Sequence, residues 1–190
     1  MTGSVTTTSL VDLALADFPL LIDIKYATAD NFTGRAVYRR AGCYLHPDAA
    51  AALQRAVVLA AALGLRLRIY DAFRPSEAQM QLWEHTPDPN FLADPAKGSP
   101  HSRGVAVDLT LCDAAGCPLD MGTSFDAFTP LSHHACLELP SACVQNRLLL
   151  MGIMTTAGWD FYRNEWWHYQ LFDARKYPLL GDKQAGTNMM

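Results

Sequence analysis

Read only as apolar and polar positions, the chain contains two stretches of strict alternation. Leu65, Leu67 and Ile69 alternate with Arg66, Arg68 and Tyr70, and Val105, Val107, Leu109 and Leu111 alternate with Ala106, Asp108 and Thr110. A period of two sends successive side chains to opposite faces, so each stretch predicts a strand with one apolar face. In the second stretch Asp108 falls on the opposite face, where a carboxylate can meet a cleft instead of the core. A weaker alternation from Leu21 to Tyr26 predicts another strand, followed by a turn at Asp30-Asn-Phe-Thr-Gly34.

Helical signals lie between these strands. Pro47 to Leu63 has Pro in its first turn, Asp48 at the positive end of the dipole, an Ala/Leu/Val body and Gly64 as its stop. Apart from Gln54 and Arg55 it is apolar nearly all round, which predicts a helix packed on the sheet. Residues 76–85 predict a short amphipathic helix with Met80, Leu82 and Trp83 inward. Ser141 to about Ala157 predicts another, capped by Ser141, with Val144, Leu148, Met151 and Ile153 or Met154 inward and Gly158 ending it. Cys112 and Cys117 flank a hairpin turn. Thr86 to Pro95 and Met121 to Pro140 are irregular, and the latter is long enough to cover a site. Strands mixed with helices in this order predict an α+β fold.

Composition sets the scale. A chain of 190 residues, half of them hydrophobic, supplies a core for one domain over 1–190, with 1–9 and 179–190 expected to be loose. A net charge of −4 without a Lys/Arg cluster excludes a nucleic-acid surface and points to small-molecule partners. The apolar run Leu10 to Ile22 is broken by Asp12, Asp17 and Pro19, so neither a signal segment nor a membrane span is expected. Five cysteines, an odd number with no short knuckle spacing, are read as free thiols in a reducing cytoplasm, with a periplasmic location by an unusual export route left open. No pattern fixes an oligomeric state.

Candidate chemistry concentrates in three segments. Ser99-Pro-His-Ser-Arg-Gly-Val-Ala-Val-Asp108 offers an imidazole from a loop, His101, and a carboxylate from a strand, Asp108. A hydrolytic zinc site takes three such ligands and keeps a fourth position open. The third candidate is His168, in Glu165-Trp-Trp-His-Tyr169, preceded at three residues by an acid among large aromatics. In a regular strand Glu165 and His168 would face opposite sides, so Glu165 is expected at the strand entrance or beside a bulge. In Tyr70-Asp-Ala-Phe-Arg-Pro75, Pro75 holds Arg74 extended, and its fork of donors suits an oxyanion or a carboxylate. The alternative for Arg74 is a surface pair with Asp71 or Glu77. Asp71 itself is read as orienting Arg74 or closing a turn, outside the site. His46 is read as a cap, His85 as a dipole partner, and His133 and His134 as surface residues.

Together, Ser-x-His-x-x-Gly-x-Ala-x-Asp at 99–108, Glu-Trp-Trp-His at 165–168 and Tyr-Asp-Ala-Phe-Arg-Pro at 70–75 resemble the zinc D-alanyl-D-alanine dipeptidases of the vancomycin-resistance type. Asp30 to Gly34 and Met121-Gly-x-x-Phe-Asp126 extend the resemblance, which runs from about Ile24 to Tyr177-Pro. It implies a small antiparallel sheet carrying the ligands, with helices 47–63 and 141–157 packed on its outer side. It implies one Zn²⁺ per chain on His101, Asp108 and His168, Glu165 as general base and Arg74 on the oxyanion. It further implies Tyr26, Ser99 and Asp126 as substrate contacts, with Asp126 taking the free ammonium of a D-Ala-D-Ala dipeptide. Two alternatives stay open: a zinc D,D-carboxypeptidase or endopeptidase acting on longer muropeptides, and a zinc-bearing peptidoglycan-binding module without turnover.

Overall fold

The computed structural model describes residues 9–190, so the expectation of looseness for 1–9 falls, except for the exposed Ser9, outside the described residues. Along the chain the elements are β1 (Val11–Asp12), β2 (Leu21–Ile22), β3 (Tyr44–Leu45), α1 (Pro47–Ala62), β4 (Arg66–Asp71), α2 (Ser76–His85), β5 (Ala106–Cys112), α3 (Ser141–Thr156), β6 (Trp159–Phe161), β7 (His168–Leu171) and α4 (Asp182–Ala185). Five strands pair in the order β2-β4-β5-β7-β6, and β1 pairs with β3 apart from them. The sheet is antiparallel except at one edge, where β2 runs parallel to β4. Helices α1 and α3 pack on each other and on the sheet, giving the α+β architecture predicted. Among the described residues no helix is long and apolar enough to cross a membrane.

Local chemistry explains where α1 begins and ends. The His46 ring nitrogen Nδ1 accepts from the Asp48 amide at 3.2 Å, Pro47 occupies the first turn, and the chain leaves the helix through Gly64 at φ +70°. Its buried face is mostly alanine, Ala49, Ala52, Ala56 and Ala60 with Leu53. Small side chains let the helix axis approach the sheet closely.

Five expectations need correction. The strand expected over 21–26 ends at Ile22, and Lys25–Ala27 form a 3₁₀ turn. There the Tyr26 carbonyl accepts from the amides of both Val37 and Tyr38, which ties the turn to the next segment and buries the Tyr26 ring. In α3 the inward face is offset from the one predicted. Cys143, Arg147, Leu150 and Met154 are buried while Leu148 is half exposed, and Ser141 makes no capping bond. The offset follows from Arg147, only 1% exposed, whose guanidinium donates to the carbonyls of Met121, Leu131 and His133 and to the Thr123 hydroxyl. A buried Arg with its donors satisfied organises a loop from within, which an apolar pattern does not register.

Residues 179–190 are docked, contrary to the loose tail predicted. Leu180 donates its amide to the Ser102 carbonyl and accepts from the Ser76 amide and hydroxyl, while Met189 is fully buried and its carbonyl accepts from the Arg39 and Arg40 amides. The tail therefore straps the start of α2 to the turn that carries His101. Met80, expected inward, is 47% exposed, and the buried residues of α2 are Ala78, Gln79 and Leu82.

Candidate active site

Strand register places the first group of polar residues. Asp71 in β4 pairs with Asp108 in β5, and Asp108 pairs with His168 in β7, so three ionisable residues form one row across the sheet. A register irregularity between Ile69 and Asp71 adjusts the end of β4. All seven residues of β5 are buried, and Asp108 opens into a covered cleft, as its alternation suggested.

His101 comes from a short 3₁₀ turn, His101–Arg103, that follows Pro100 and closes on Gly104 at φ +69°. A Cβ on Gly104 would lie 2.9 Å from the Leu10 side chain and 3.1 Å from the His46 amide nitrogen, so glycine is required by both backbone angle and space. The Ser99 hydroxyl accepts from the His101 amide at 3.2 Å. The parity difficulty at Glu165 is resolved by a tight turn before β7. The His168 amide donates to the Glu165 carbonyl, and Glu165 thereby lies on the same side as His168, its Oε2 4.0 Å from His168 Nδ1.

Three atoms then converge. His101 Nε2 is 3.0 Å from His168 Nδ1 and 3.3 Å from Asp108 Oδ1, and His168 Nδ1 is 3.1 Å from the same Oδ1. The opposite edges of the rings are committed: His101 Nδ1 sits 2.7 Å from the Ala72 carbonyl and His168 Nε2 sits 3.2 Å from Gln170 Oε1. Both outer partners are acceptors, so each neutral imidazole carries its proton outward and turns a lone pair inward. Two imidazole lone pairs and a carboxylate oxygen thus face one another with no proton among them, an arrangement that a cation relieves. A tetrahedral ion with bonds of about 2.0–2.1 Å requires ligand–ligand edges of about 3.3 Å, close to this triangle. The donor set fits a divalent metal.

All eight residues singled out in the sequence line one cleft of about 230 Å³. That volume is at the small end for ligand sites, which run to about 300–1,000 Å³ for drug-sized molecules. Its roof comes from two loops. Phe91, Leu92 and Ala93 enter from the 86–98 loop, which is tied down by the Tyr162 hydroxyl and the Asn164 amide, both donating to the Asn90 carbonyl. Asp126 enters from the 121–140 loop that Arg147 organises. Phe91 stacks on Phe128 at 4.8 Å, and Phe128 in turn meets Phe32, so the loops are joined by an aromatic contact.

The charges in the cleft are unequal. Burial alone would raise Asp108, yet a proton that His101 or His168 turns inward is held against its carboxylate and keeps it well below the usual range, so a proton and a cation compete for the same three atoms. Burial pushes Glu165 well above that range, and the Asp108 and Asp126 carboxylates push it further. Asp126 is raised in the same way, by burial and then by Asp108. It has a left-handed backbone, φ +59°, and accepts from the Tyr26 hydroxyl at 3.2 Å on Oδ1, while its buried Oδ2 has no partner. An unpartnered buried carboxylate oxygen aimed into a cleft suits a cationic ligand group.

Arg74 is 5% exposed and not a surface residue. Its Nε donates to Asp71 Oδ2 at 2.8 Å, Nη1 to Gln79 Oε1 at 3.0 Å and Nη2 to Asp108 Oδ2 at 3.3 Å, and its guanidinium lies 5.0 Å from the Tyr26 ring centre. Three of five N–H donors are engaged, leaving two for another oxygen. Sequence reasoning left Asp71 outside the site, but it is fully buried and also accepts from the Tyr38 hydroxyl at 2.8 Å. His133 and His134 lie outside the ligand triad, as expected, although His134 is packed against Phe161 and Tyr169. Gln79 and Gln170 were missed; no local pattern marks a glutamine whose partners are distant in sequence.

A donor set that fits a divalent metal beside a buried carboxyl group is the equipment of a metallopeptidase. The family model described as D-ala-D-ala dipeptidase matches residues 6–184, and the chain belongs to that family. It is 50% identical over 177 residues to a D-alanyl-D-alanine dipeptidase of Escherichia coli, across 93% of this chain and 92% of the relative. Proteins of the same name from Enterococcus faecalis and Streptomyces coelicolor are 37% and 38% identical, across 82% and 78% of this chain.

Removing the carboxylate of Asp71 would leave a buried guanidinium short of its best partner. Asp71→Ala is expected to lower the unfolding free energy by about 3–5 kcal/mol in urea titrations of metal-free protein. A loss below about 1 kcal/mol, the worth of an exposed pair, would mean that Arg74 is not held by this carboxylate.

Proposed function

We propose that this protein hydrolyses D-Ala-D-Ala with one zinc ion held by His101 Nε2, Asp108 Oδ1 and His168 Nδ1. The observation that carries the proposal is the convergence of those three lone-pair atoms beside Glu165, in a cleft whose other end carries the unpartnered oxygen of Asp126. The family and the names of its relatives supply the substrate. Zinc in such a site lowers the pKa of water toward about 7 and polarises a carbonyl as a Lewis acid.

The side chains divide the remaining work. Asp126, oriented by the Tyr26 hydroxyl, receives the dipeptide's ammonium and sets the register of the scissile bond. Ser99 holds the His101 turn through its hydroxyl and lines the wall beside the substrate. Glu165 takes a proton from the attacking water as its oxygen bonds to the carbonyl carbon. It then delivers that proton to the nitrogen as the C–N bond breaks, releasing two D-alanines. Burial among Trp167, Asp108 and Asp126 disfavours an ionised Glu165, and a nearby cation offsets this, so base strength and metal occupancy are linked. The free N–H groups of Arg74 meet the oxyanion as charge develops, when the interaction is strongest.

The proposal treats residues 1–190 as one dipeptidase domain. It includes cytoplasmic residence, which the five unpaired cysteines among the described residues support. An enclosed cleft with an anionic end favours a free dipeptide over a longer muropeptide.

Glu165→Ala leaves all three metal ligands in place. It is expected to retain one zinc per chain by elemental analysis while kcat falls by about 10²–10⁴-fold. Near-wild-type turnover with zinc bound would require another base. Acetylation of the dipeptide's amino group removes the charge that Asp126 is proposed to bind, so acetyl-D-Ala-D-Ala should be a far poorer substrate for the wild type. Equal cleavage of the acetylated and free dipeptides would instead favour action on longer peptides.

A further inference from the structure

Gln79, on the first half of α2, is 2% exposed and does not line the cleft. A primary amide in such surroundings is stable only when both ends are bonded. Its Oε1 accepts from Arg74 Nη1 at 3.0 Å, and its Nε2 donates to the Ala93 carbonyl at 2.7 Å. Arginine only donates and a carbonyl only accepts, so the orientation of the amide is fixed by its partners. One partner carries the positive charge of the cleft; the other belongs to the loop that roofs it.

Given the role proposed for Arg74, we propose that Gln79 is a positioning residue that fixes the plane of the Arg74 guanidinium and ties it to the seating of the 86–98 loop. Without Gln79 the guanidinium would keep its Nε bond to Asp71 and only the longer Nη2 contact with Asp108, at 3.3 Å, to resist tilting. A second bond on Nη1, from a side chain anchored in a helix, removes the tilt and leaves the Nη2 edge directed at Asp108 Oδ2 and the ligand triad. Because Nε2 of the same amide holds Ala93, displacement of the roof pulls on the group that sets the guanidinium. Closure over the substrate and alignment of the oxyanion donor are therefore one event. Without the amide, Arg74 keeps its charge but loses its aim, and the interaction that suffers is the one made in the transition state.

A double-mutant cycle separates positioning through Arg74 from simple support of the fold. Gln79→Met keeps the side-chain length and removes both hydrogen bonds. In the otherwise wild-type zinc enzyme it is expected to lower kcat about tenfold with KM for D-Ala-D-Ala changed less than about twofold. In an Arg74→Ala background the same change should alter kcat by less than about twofold, because the group it positions is gone. Equal losses in the two backgrounds, or a loss confined to KM, overturn the inference. If Gln79→Met fails to fold cooperatively or to hold zinc, Gln79→Glu carries the same cycle, since it keeps an acceptor for Arg74 and removes the donor to Ala93. Its second oxygen then opposes the Ala93 carbonyl and breaks the tie to the loop, so kcat should fall severalfold with Arg74 present and change less than about twofold without it; equal losses in the two backgrounds, or no loss with Arg74 present, overturn the inference. Failure of the role proposed for Arg74 is visible separately, as near-wild-type kcat in Arg74→Ala alone.

Discussion

Buried negative charge is the constraint around which this structure is built. Asp71, Asp108 and Glu165 are buried carboxyl groups at one end of a small sheet, joined by the half-buried Asp126 with its buried Oδ2, and Arg74 is the guanidinium that offsets them. An isolated ionised carboxylate in such a place costs several kcal/mol, so the groups either take up protons or find cations. Arg74 pulls Asp71 down, yet burial still leaves it raised; Asp126 and Glu165 are pushed well up by burial and then by the Asp108 carboxylate. Under the proposed function, a divalent ion on His101, Asp108 and His168 and an ammonium at Asp126 would be the two positive charges that complete the balance. The same imbalance would give the cleft affinity for a metal and for a substrate with a free amine.

Holding four carboxyl groups together against their repulsion requires positions fixed by backbone. Asp71 and Asp108 are held by strand register, Glu165 by the turn that precedes β7, and Asp126 by a left-handed residue in a loop gripped by Arg147. His101 depends on a glycine that lets its turn press against β3 and the start of α1, and on the tail strapped across it at Ser102. Each device comes from a different part of the chain, which explains why the sheet is short and the loops are long: the strands serve mainly as a frame on which the loops bring charge together. The aromatic contact of Phe91 with Phe128 joins the two roof loops and keeps the cleft small.

What was legible in the sequence follows the range of the interactions involved. Helices 47–62 and 141–156 and strands 66–71 and 106–112 were readable because their signals are local: caps, stops and a fixed period. The convergence of His101, Asp108 and His168 was readable because their spacing is short within each motif, and the one geometric conflict, between Glu165 and His168, correctly pointed to a strand entrance. Long-range polar contacts were not readable. Arg147 was passed over on α3 because apolar residues were taken to define the inner face, although four oxygens of a distant loop satisfy its guanidinium. Asp71 was readable as a partner that orients Arg74, but the Tyr38 hydroxyl that shares it was not. The tail after Pro178 has no periodicity, and its order comes from backbone bonds to Ser76, Ser102, Arg39 and Arg40 that no composition reports.

The central claim is that the converging atoms of His101, Asp108 and His168 hold a metal that balances this buried charge. The most direct measurement is the unfolding free energy of metal-stripped protein as a function of free zinc, for the wild type and for His101→Ala. An ion that binds only the folded state should stabilise the wild type progressively, by about 2.7 kcal/mol when zinc is one hundred times its Kd, with one zinc bound per chain. The same titration should leave His101→Ala nearly flat. A wild-type stability that does not respond to zinc, or an equal response in the two proteins, would contradict the account.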